Sequence, residues 1–194
     1  MLKLKEQLDI EGMKRKNIIE MGLGYTAMIR IFSQKSKAKI EAKLEELFSH
    51  LAEISTRDDY ESCHRSFCEW FTREVRTAEK NLSNGGLQPS QQSSFGQAAK
   101  VLDIAIKVYV YYCAQPTPEI AQRIVPLLHG AIDTPILAYL KKCKSATLKI
   151  NATTIKGVDL RVYRDLQSIL LAESLSVNLH PVEFEDLLWR QLNR

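Results

Sequence analysis

The sequence lacks the features that mark several large classes of protein. No apolar run is long enough to span a bilayer, because the most apolar stretch, 101–114, is interrupted by Asp103 and Lys107. Residues 1–8 alternate charge with leucine and have neither the apolar core nor the small-residue cleavage site of a secretory signal. Glycine-rich phosphate loops, nucleophile elbows and His-Glu-x-x-His motifs are also missing. We therefore expect a cytoplasmic protein without membrane association and outside the well-marked enzyme classes.

Cysteine is scarce and does not occur in the paired spacing of zinc sites. Cys63, Cys68, Cys113 and Cys143 are separated from one another, and none belongs to a Cys-x-x-Cys pair. In a chain without an export signal, we expect them to be reduced and mostly buried. His64 and Cys68 lie four residues apart and would supply half of a zinc site, but the sequence offers no second half. We predict neither a metal nor a cofactor.

Length and charge limit the size of the protein and the kind of partner. The 194 residues, 45% of them hydrophobic, fit one domain spanning 1–194. The formal net charge is +4, and acidic residues are interspersed among the basic ones, unlike the concentrated basic stripe of a dedicated nucleic-acid binder. Contact with protein and contact with nucleic acid both stay open, and so does a homodimer.

Helical periodicity dominates the first half of the chain. Between 36 and 54, apolar residues recur at helical spacing and charged residues occupy the other face. The carboxylates of Asp58 and Asp59 suit the start of another helix, which the pattern extends to about Leu82. The polar, turn-forming stretch 83–94 predicts a flexible surface loop.

The second half of the chain contains the predicted centre of the core. Apolar residues cover nearly the whole circumference of a helix over 95–114. Pro118 and Pro135 suit the first turns of two shorter helices, and two longer helices follow after residue 157. The stretch 146–155 is either a short strand or an irregular connection. We therefore predict an all-α, single-domain bundle of about seven helices around the buried helix 95–114.

Two arginine–histidine pairs suggest one kind of chemistry. Six residues separate Arg57 from His64, and five separate Arg123 from His129. This spacing resembles the active site of the helical HEPN ribonucleases, where a guanidinium stabilises the scissile phosphate and an imidazole shuttles a proton. The resemblance implies an RNA-cleaving site that uses Arg123 and His129 or, as the weaker candidates, Arg57 and His64.

His129 is also followed by an acidic residue at a distance that allows two interpretations. Asp133 lies four residues further on and would interact with His129 if the turn folds back. Such a pair would serve a small-molecule enzyme only beside a concave pocket. The simpler interpretation is that Asp133 caps the helix that follows it.

Three segments together resemble a group of uncharacterised bacterial all-helical proteins. Members carry a Phe-Gly-x-Ala-x-Lys helix, a His-x-x-Ile-Asp step and a C-terminal Pro-x-Glu-(Phe/Trp)-Glu helix, and no activity is established for the group. Here these segments are 95–100, 129–133 and 181–185, the last running on to Trp189.

The resemblance to this group implies that the three segments meet in one place. Lys100 and Lys107 would then share a polar pocket with His129 and Asp133, and Asp103 or Asp133 would pair with a buried lysine. From the sequence we favour a non-catalytic binding or assembly module, an accessory factor that contacts nucleic acid or protein. The alternative is the HEPN-like ribonuclease.

Overall fold

The chain is folded almost entirely into helices. The structure, a computed structural model, describes residues 9–81, 83, 85–143 and 150–193. Within these residues there are eight α-helices and one two-stranded antiparallel sheet. The helices are α1 (Ile10–Tyr25), α2 (Gln34–Ser49), α3 (Arg57–Glu74), α4 (Phe95–Ile106), α5 (Pro118–Ile124), α6 (Thr134–Leu140), α7 (Leu160–Ser176) and α8 (Pro181–Leu192), and the strands are β1 (Lys80–Asn81) and β2 (Leu87–Gln88). The predicted all-α bundle is confirmed.

The helices begin where side chains can satisfy their free amide groups. Thr56 accepts from the Asp59 amide and Ser94 from the Gln97 amide, and in both cases the later side chain bonds back to the cap. Short 3-10 turns occupy several of the connections between helices: Ala27–Ile31, Leu51–Glu53, Val125–Leu127 and Ile155–Gly157.

Helix α4 lies at the centre of the core, as the sequence predicts. Its residues Val101 and Ala105 are fully buried, and the helix contacts α1, α3 and α7. The uninterrupted helix predicted for 95–114 is wrong in one respect, because α4 passes at Lys107 into a π-helical turn, Lys107–Tyr112. The Cys113 amide accordingly bonds to the Val108 carbonyl, five residues back.

The end of one helix differs from the prediction. Helix α3 ends at Glu74 rather than near Leu82, because the chain turns there to pair with the stretch predicted as a loop. The Thr77 amide donates to the Gln91 carbonyl at 2.9 Å, and β1 pairs with β2. These contacts satisfy backbone groups that a loop would leave to water.

The remaining expectations about single segments have mixed outcomes. All four cysteines are free thiols, but only Cys68 is buried, whereas the sequence predicts that most of them are. Residues 144–149 lie outside the described part of the chain, and 150–154 form no strand. None of the described helices combines the length and apolar character needed to cross a bilayer.

Candidate active site

A cleft of about 310 Å³ lies between α3 and α7. On α3, Arg57, Glu61 and Arg65 follow one another at intervals of four and so share one face of the helix. The α7 wall is formed in the same way, since its lining residues recur every three or four positions. These residues are Leu160, Arg164, Ser168 and Leu171, and the rest of the lining is Phe95, His64, His129, Tyr163, Gln167 and Pro181.

Four polar residues meet at the floor of the cleft. The Tyr163 hydroxyl donates to Asp103 Oδ2 at 2.8 Å and lies 3.0 Å from both His64 Nε2 and His129 Nδ1. His64 Nε2 is 2.9 Å from Asp103 Oδ1. We call these four residues the histidine cluster. They come from α3, α4, α7 and the connection before α6, so that long-range packing alone brings them together.

Three members of the histidine cluster, Asp103, His64 and Tyr163, are buried, and their polar atoms have hydrogen-bond partners. Asp103 is 0% exposed and His64 3% exposed. Among the described residues, every buried side-chain nitrogen or oxygen has a hydrogen-bond partner. A cluster of this kind fixes the orientation of each ring, because any rotation would leave a buried polar atom unpaired.

The hydrogen bonds of Tyr163 determine the tautomer of His129. Tyr163 has one hydroxyl proton, which goes to Asp103, so its oxygen accepts from His129 Nδ1–H. Nε2 of a neutral His129 therefore carries a lone pair. This atom has no hydrogen-bond partner among the described residues, and His129 lines the cleft. Nε2 is the nitrogen available to a ligand.

The two histidines titrate in opposite directions. Burial lowers the pKa of His129 well below its usual 6.5, and the positive charges of His64 and Arg57 lower it further. Burial also opposes protonation of His64, but the adjacent Cys68 and the Asp103 carboxylate outweigh it and raise the pKa of His64. At neutral pH, His64 is thus a cation paired with Asp103, while His129 is neutral.

The backbone around His129 is held from several sides. We call Leu128–Ile132 the His129 segment. The side chain of Gln167 bonds to both backbone groups of Gly130, accepting at 3.2 Å and donating at 2.8 Å. The Tyr60 hydroxyl accepts from the His129 amide at 3.3 Å. A Cβ at Gly130 would come within 2.3 Å of Leu170 Cδ2 and 2.9 Å of Glu185 Cβ, so a larger residue there would force these side chains to shift.

The cleft favours an anionic ligand. Arg57, Arg65 and Arg164 line it, and none of the three takes part in a salt bridge within the described part of the chain. Glu61 is the one carboxylate among the lining residues. Arg57 also donates to the Pro126 and Leu127 carbonyls at 2.8 and 2.6 Å, which braces the turn before His129.

The structure rearranges the predicted arginine–histidine pairs. Arg57, His64 and His129 line the same cleft. Arg123 does not, since it is exposed and donates to the Ala52 carbonyl at 2.7 Å. The arginine and histidine that share the cleft with an accessible ring nitrogen are therefore Arg57 and His129, one from each predicted pair.

Asp133 has a structural position, as the simpler interpretation predicts. Its Oδ1 accepts from the Ile136 amide at 2.9 Å and caps α6. Its Oδ2 accepts from Trp189 Nε1 at 3.1 Å and so links α6 to α8. Asp133 does not line the cleft.

The three residues of the predicted polar pocket, Lys100, Asp103 and Lys107, are not among the residues that line the cleft. Asp103 belongs to the histidine cluster, whereas Lys107 pairs with Glu185 at 2.8 Å on α8. Burial lowers the pKa of Lys100, and the carboxylates of Asp133 and Glu185 oppose this effect. Neither lysine lines the cleft that holds His129. His129 and the two lysines therefore do not share the cleft, and the wider polar pocket stays a prediction.

Sequence reasoning misses Tyr163 and Gln167 as functional residues. Tyr163 fits the apolar face of α7, and Gln167 lies four residues later on the same face. A glutamine on a buried face is the one available signal, because a buried amide requires partners.

The histidine cluster also contains metal-ligand types. His64, Asp103 and His129 each offer one ligand atom, and these atoms lie within 4.8 Å of one another. Two histidines with one carboxylate suit zinc or iron. The Tyr163 hydroxyl already bonds to all three side chains, however, so the geometry does not require an ion.

Comparison with known proteins finds no relative of this chain. No family model matches the chain, and neither a curated protein nor a solved structure is similar to it.

Proposed function

We propose that the cleft is an acid–base catalytic site for a phosphate-bearing substrate, and that RNA is this substrate. The observation that carries the proposal is the lone pair on His129 Nε2, which faces a cleft lined by three arginines without salt-bridge partners. A fixed imidazole nitrogen beside guanidinium groups is suited to moving a proton next to a phosphate.

In the proposed reaction, His129 Nε2 removes the proton of a ribose 2′-hydroxyl. The 2′-oxygen then attacks the adjacent phosphorus, and the 5′-oxygen leaves with a proton from water. The resulting imidazolium donates through Nδ1 to Tyr163, whose hydroxyl donates to the Asp103 carboxylate. Tyr163 thus fixes the orientation and tautomer of the His129 ring, as the carboxylate does for the histidine in a catalytic triad.

The arginines have separate tasks in this scheme. Arg65 and Arg164 are exposed at the cleft and would hold the phosphate. Arg57 is partly occupied by two backbone carbonyls, so it mainly positions the turn that leads to His129. His64 is not the base, because its Nε2 is already bonded to Asp103.

The test is incubation of the purified protein with single-stranded RNA and with DNA of the same sequence. We expect cleavage of RNA only, because DNA has no 2′-hydroxyl. Replacing His129 with Ala should lower the rate by about 10²-fold or more. The matched control is His50→Ala, which removes an exposed histidine outside the cleft.

Three results would each contradict part of the proposal. Cleavage that survives His129→Ala would remove His129 as the base. If DNA were cleaved as fast as RNA, the nucleophile would be water and not the 2′-hydroxyl. RNA binding without cleavage would favour the non-catalytic binding module predicted from the sequence.

A further inference from the structure

The proposed reaction gives no role to one charged group in the cleft. Glu61 lines the cleft beside the arginines, where a carboxylate repels the phosphate that they would hold. The Glu61 side chain is exposed and, among the described residues, takes part in no hydrogen bond and no salt bridge. Both of its carboxylate oxygens are therefore acceptors that a ligand can use.

The arginines one helical turn away do not pair with Glu61. Arg57 and Arg65 lie four residues to either side of it, a spacing that allows ion pairs on a helix. The Arg57 guanidinium instead donates to the carbonyls of Pro126 and Leu127. The rise of an α-helix places Glu61 and Arg65 roughly 6 Å apart along the axis, so one small ligand can reach both.

The cleft also has an apolar part that suits a flat ring. Phe95, Leu160, Leu171 and Pro181 line it. The Phe95 ring packs on Tyr163, with the ring centroids 5.5 Å apart, but it is only half-buried. Unpaired RNA bases are recognised by stacking on aromatic side chains of this kind. A volume of about 310 Å³ lies at the lower end for ligand pockets, which favours a single nucleotide as the occupant.

We propose that the cleft selects guanine and that Glu61 is the residue that recognises this base. The inference rests on the proposed cleavage of RNA and names the nucleotide at which it occurs. Guanine has two neighbouring donors on its Watson–Crick edge, N1–H and the 2-amino group, and a carboxylate accepts from both. Adenine and cytosine have an acceptor beside their amino group, and in uracil two carbonyls flank N3–H. Each of these acceptors would face a carboxylate oxygen and repel it.

This arrangement also determines which bond is cut. The guanosine whose base lies at Glu61 presents its 2′-hydroxyl to His129 Nε2, and its 3′-phosphate lies at Arg65 and Arg164. In the proposed reaction the 2′-oxygen forms a bond to that phosphorus, and the bond to the 5′-oxygen of the next nucleotide breaks. RNA is therefore cleaved on the 3′ side of guanosine, and the product ends in a guanosine 2′,3′-cyclic phosphate.

The test is binding of the four nucleoside 3′-monophosphates to the full chain, measured by isothermal titration calorimetry. We expect the guanosine nucleotide to bind about tenfold more tightly than the other three. Inosine 3′-monophosphate keeps N1–H but lacks the 2-amino group, so it should bind with intermediate affinity. Glu61→Gln should abolish the preference, because an amide replaces one of the two acceptors by a donor. Glu69→Gln is the matched control, since Glu69 is exposed on α3 but does not line the cleft.

A second variant separates stacking from hydrogen bonding. Phe95→Leu should weaken binding of all four nucleotides by about tenfold and leave their order unchanged, because every base has a face that stacks. Circular dichroism of each variant verifies that the helices are intact. Sequencing the ends of RNA fragments from the cleavage reaction provides an independent readout, and these fragments should end in guanosine.

Three outcomes would overturn the selection of guanine. The first is the absence of binding of any of the four nucleotides at millimolar concentration, and the second is equal binding of all four. The third is a Glu61→Gln variant that changes all four affinities by the same factor, which would show that Glu61 acts only through its charge. Binding requires no catalysis, so guanine preference without RNA cleavage would contradict the proposed reaction alone. Cleavage without preference for guanosine would contradict only the role of Glu61.

Discussion

At His129, the two ring nitrogens have different roles. Nδ1 is bonded to Tyr163, and Nε2 is left to the cleft. Burial, His64 and Arg57 together lower the pKa of the ring. Because a base must be unprotonated, we expect kcat/KM for RNA to stay constant on acidification to pH 6.5 and to fall only well below it.

Replacing Arg57 with Gln tests the origin of this low pKa. Loss of the guanidinium charge should raise the pKa of His129, and the acid limb of the rate profile should move to higher pH with it. Arg57→Lys is the control that keeps the charge. The direct measurement is an NMR titration of the His129 ring, and an unchanged midpoint in Arg57→Gln would show that Arg57 does not act on it.

Tyr163 is the residue on which the geometry of the cluster depends. Tyr163→Phe removes the acceptor of His129 Nδ1 and one donor to Asp103, so we expect a loss of kcat of about 10²-fold. Unfolding free energy should fall by about 1–3 kcal/mol, because buried polar atoms lose their partner. Tyr139→Phe, in which the hydroxyl is removed from a half-buried tyrosine of α6, should leave kcat unchanged.

The limits of sequence analysis are clearest for these residues. Arg57, His64 and His129 can be selected from their type and spacing alone, but their grouping cannot. His64 and Tyr163 are 99 residues apart in the chain, and their contact depends on the packing of α3 against α7. The capping role of Asp133 can be predicted from the sequence, because capping is a local interaction between residues three apart.

The His129 segment leaves little room for a side chain at Gly130. Gly130→Ala should destabilise the protein by about 1–3 kcal/mol, because the new methyl group would meet Leu170 and Glu185. Activity should also fall, since relief of that overlap displaces the neighbouring His129. Gly157→Ala is the control, as its Cβ would meet no atom closer than 3.9 Å. Urea unfolding of both variants provides the comparison.

The π-helical turn after α4 is linked to α8 by a buried ion pair. Lys107 Nζ lies 2.8 Å from Glu185 and 3.5 Å from Asp186. Lys107→Met should cost about 3 kcal/mol, because it leaves a buried carboxylate without a cation. The double variant Lys107→Met with Glu185→Leu should be more stable than Lys107→Met alone. Chemical unfolding of the full mutant cycle measures this, and additive losses would contradict the coupling.

The sequence predicts which segments are helical, but it does not always predict where each helix ends. The central position of α4 follows from its apolar circumference. The start of α3 is predicted from Asp58 and Asp59, and the residue that caps it is Thr56. The end of α3 at Glu74 could not be predicted, because it depends on pairing with residues 87–93 that lie more than ten positions away. The apolar periodicity of α3 itself contains no information about a pairing segment so far along the chain.

For the molecule as a whole, His129 and His64 oppose each other in the dependence of stability on pH. The pKa of His129 is lower in the folded state than its usual 6.5, so the unfolded chain binds the extra proton. Stability therefore falls as the pH drops below 6.5, at a limiting slope of about 1.4 kcal/mol per pH unit. His64 has a raised pKa, so its contribution is full below 6.5 and is lost as pH rises through the raised value.

Denaturant unfolding across the pH range tests this balance. We expect His129→Gln to flatten the acid side of the stability profile and to leave the alkaline side unchanged. His64→Gln should flatten the alkaline side instead, at a lower overall stability because Asp103 loses its cation. An acid slope that persists in His129→Gln would assign it to other groups.

The histidine cluster makes the chemistry of this protein a late product of folding. Its hydrogen bonds join residues 34, 39, 60 and 99 positions apart. A chain growing from its N-terminus can form α3 and α4 early, but Nδ1 of His129 has no acceptor until Tyr163 has been synthesised and α7 has docked. Until then the ring is free to take either tautomer, and only the completed fold selects the one with a lone pair towards the cleft.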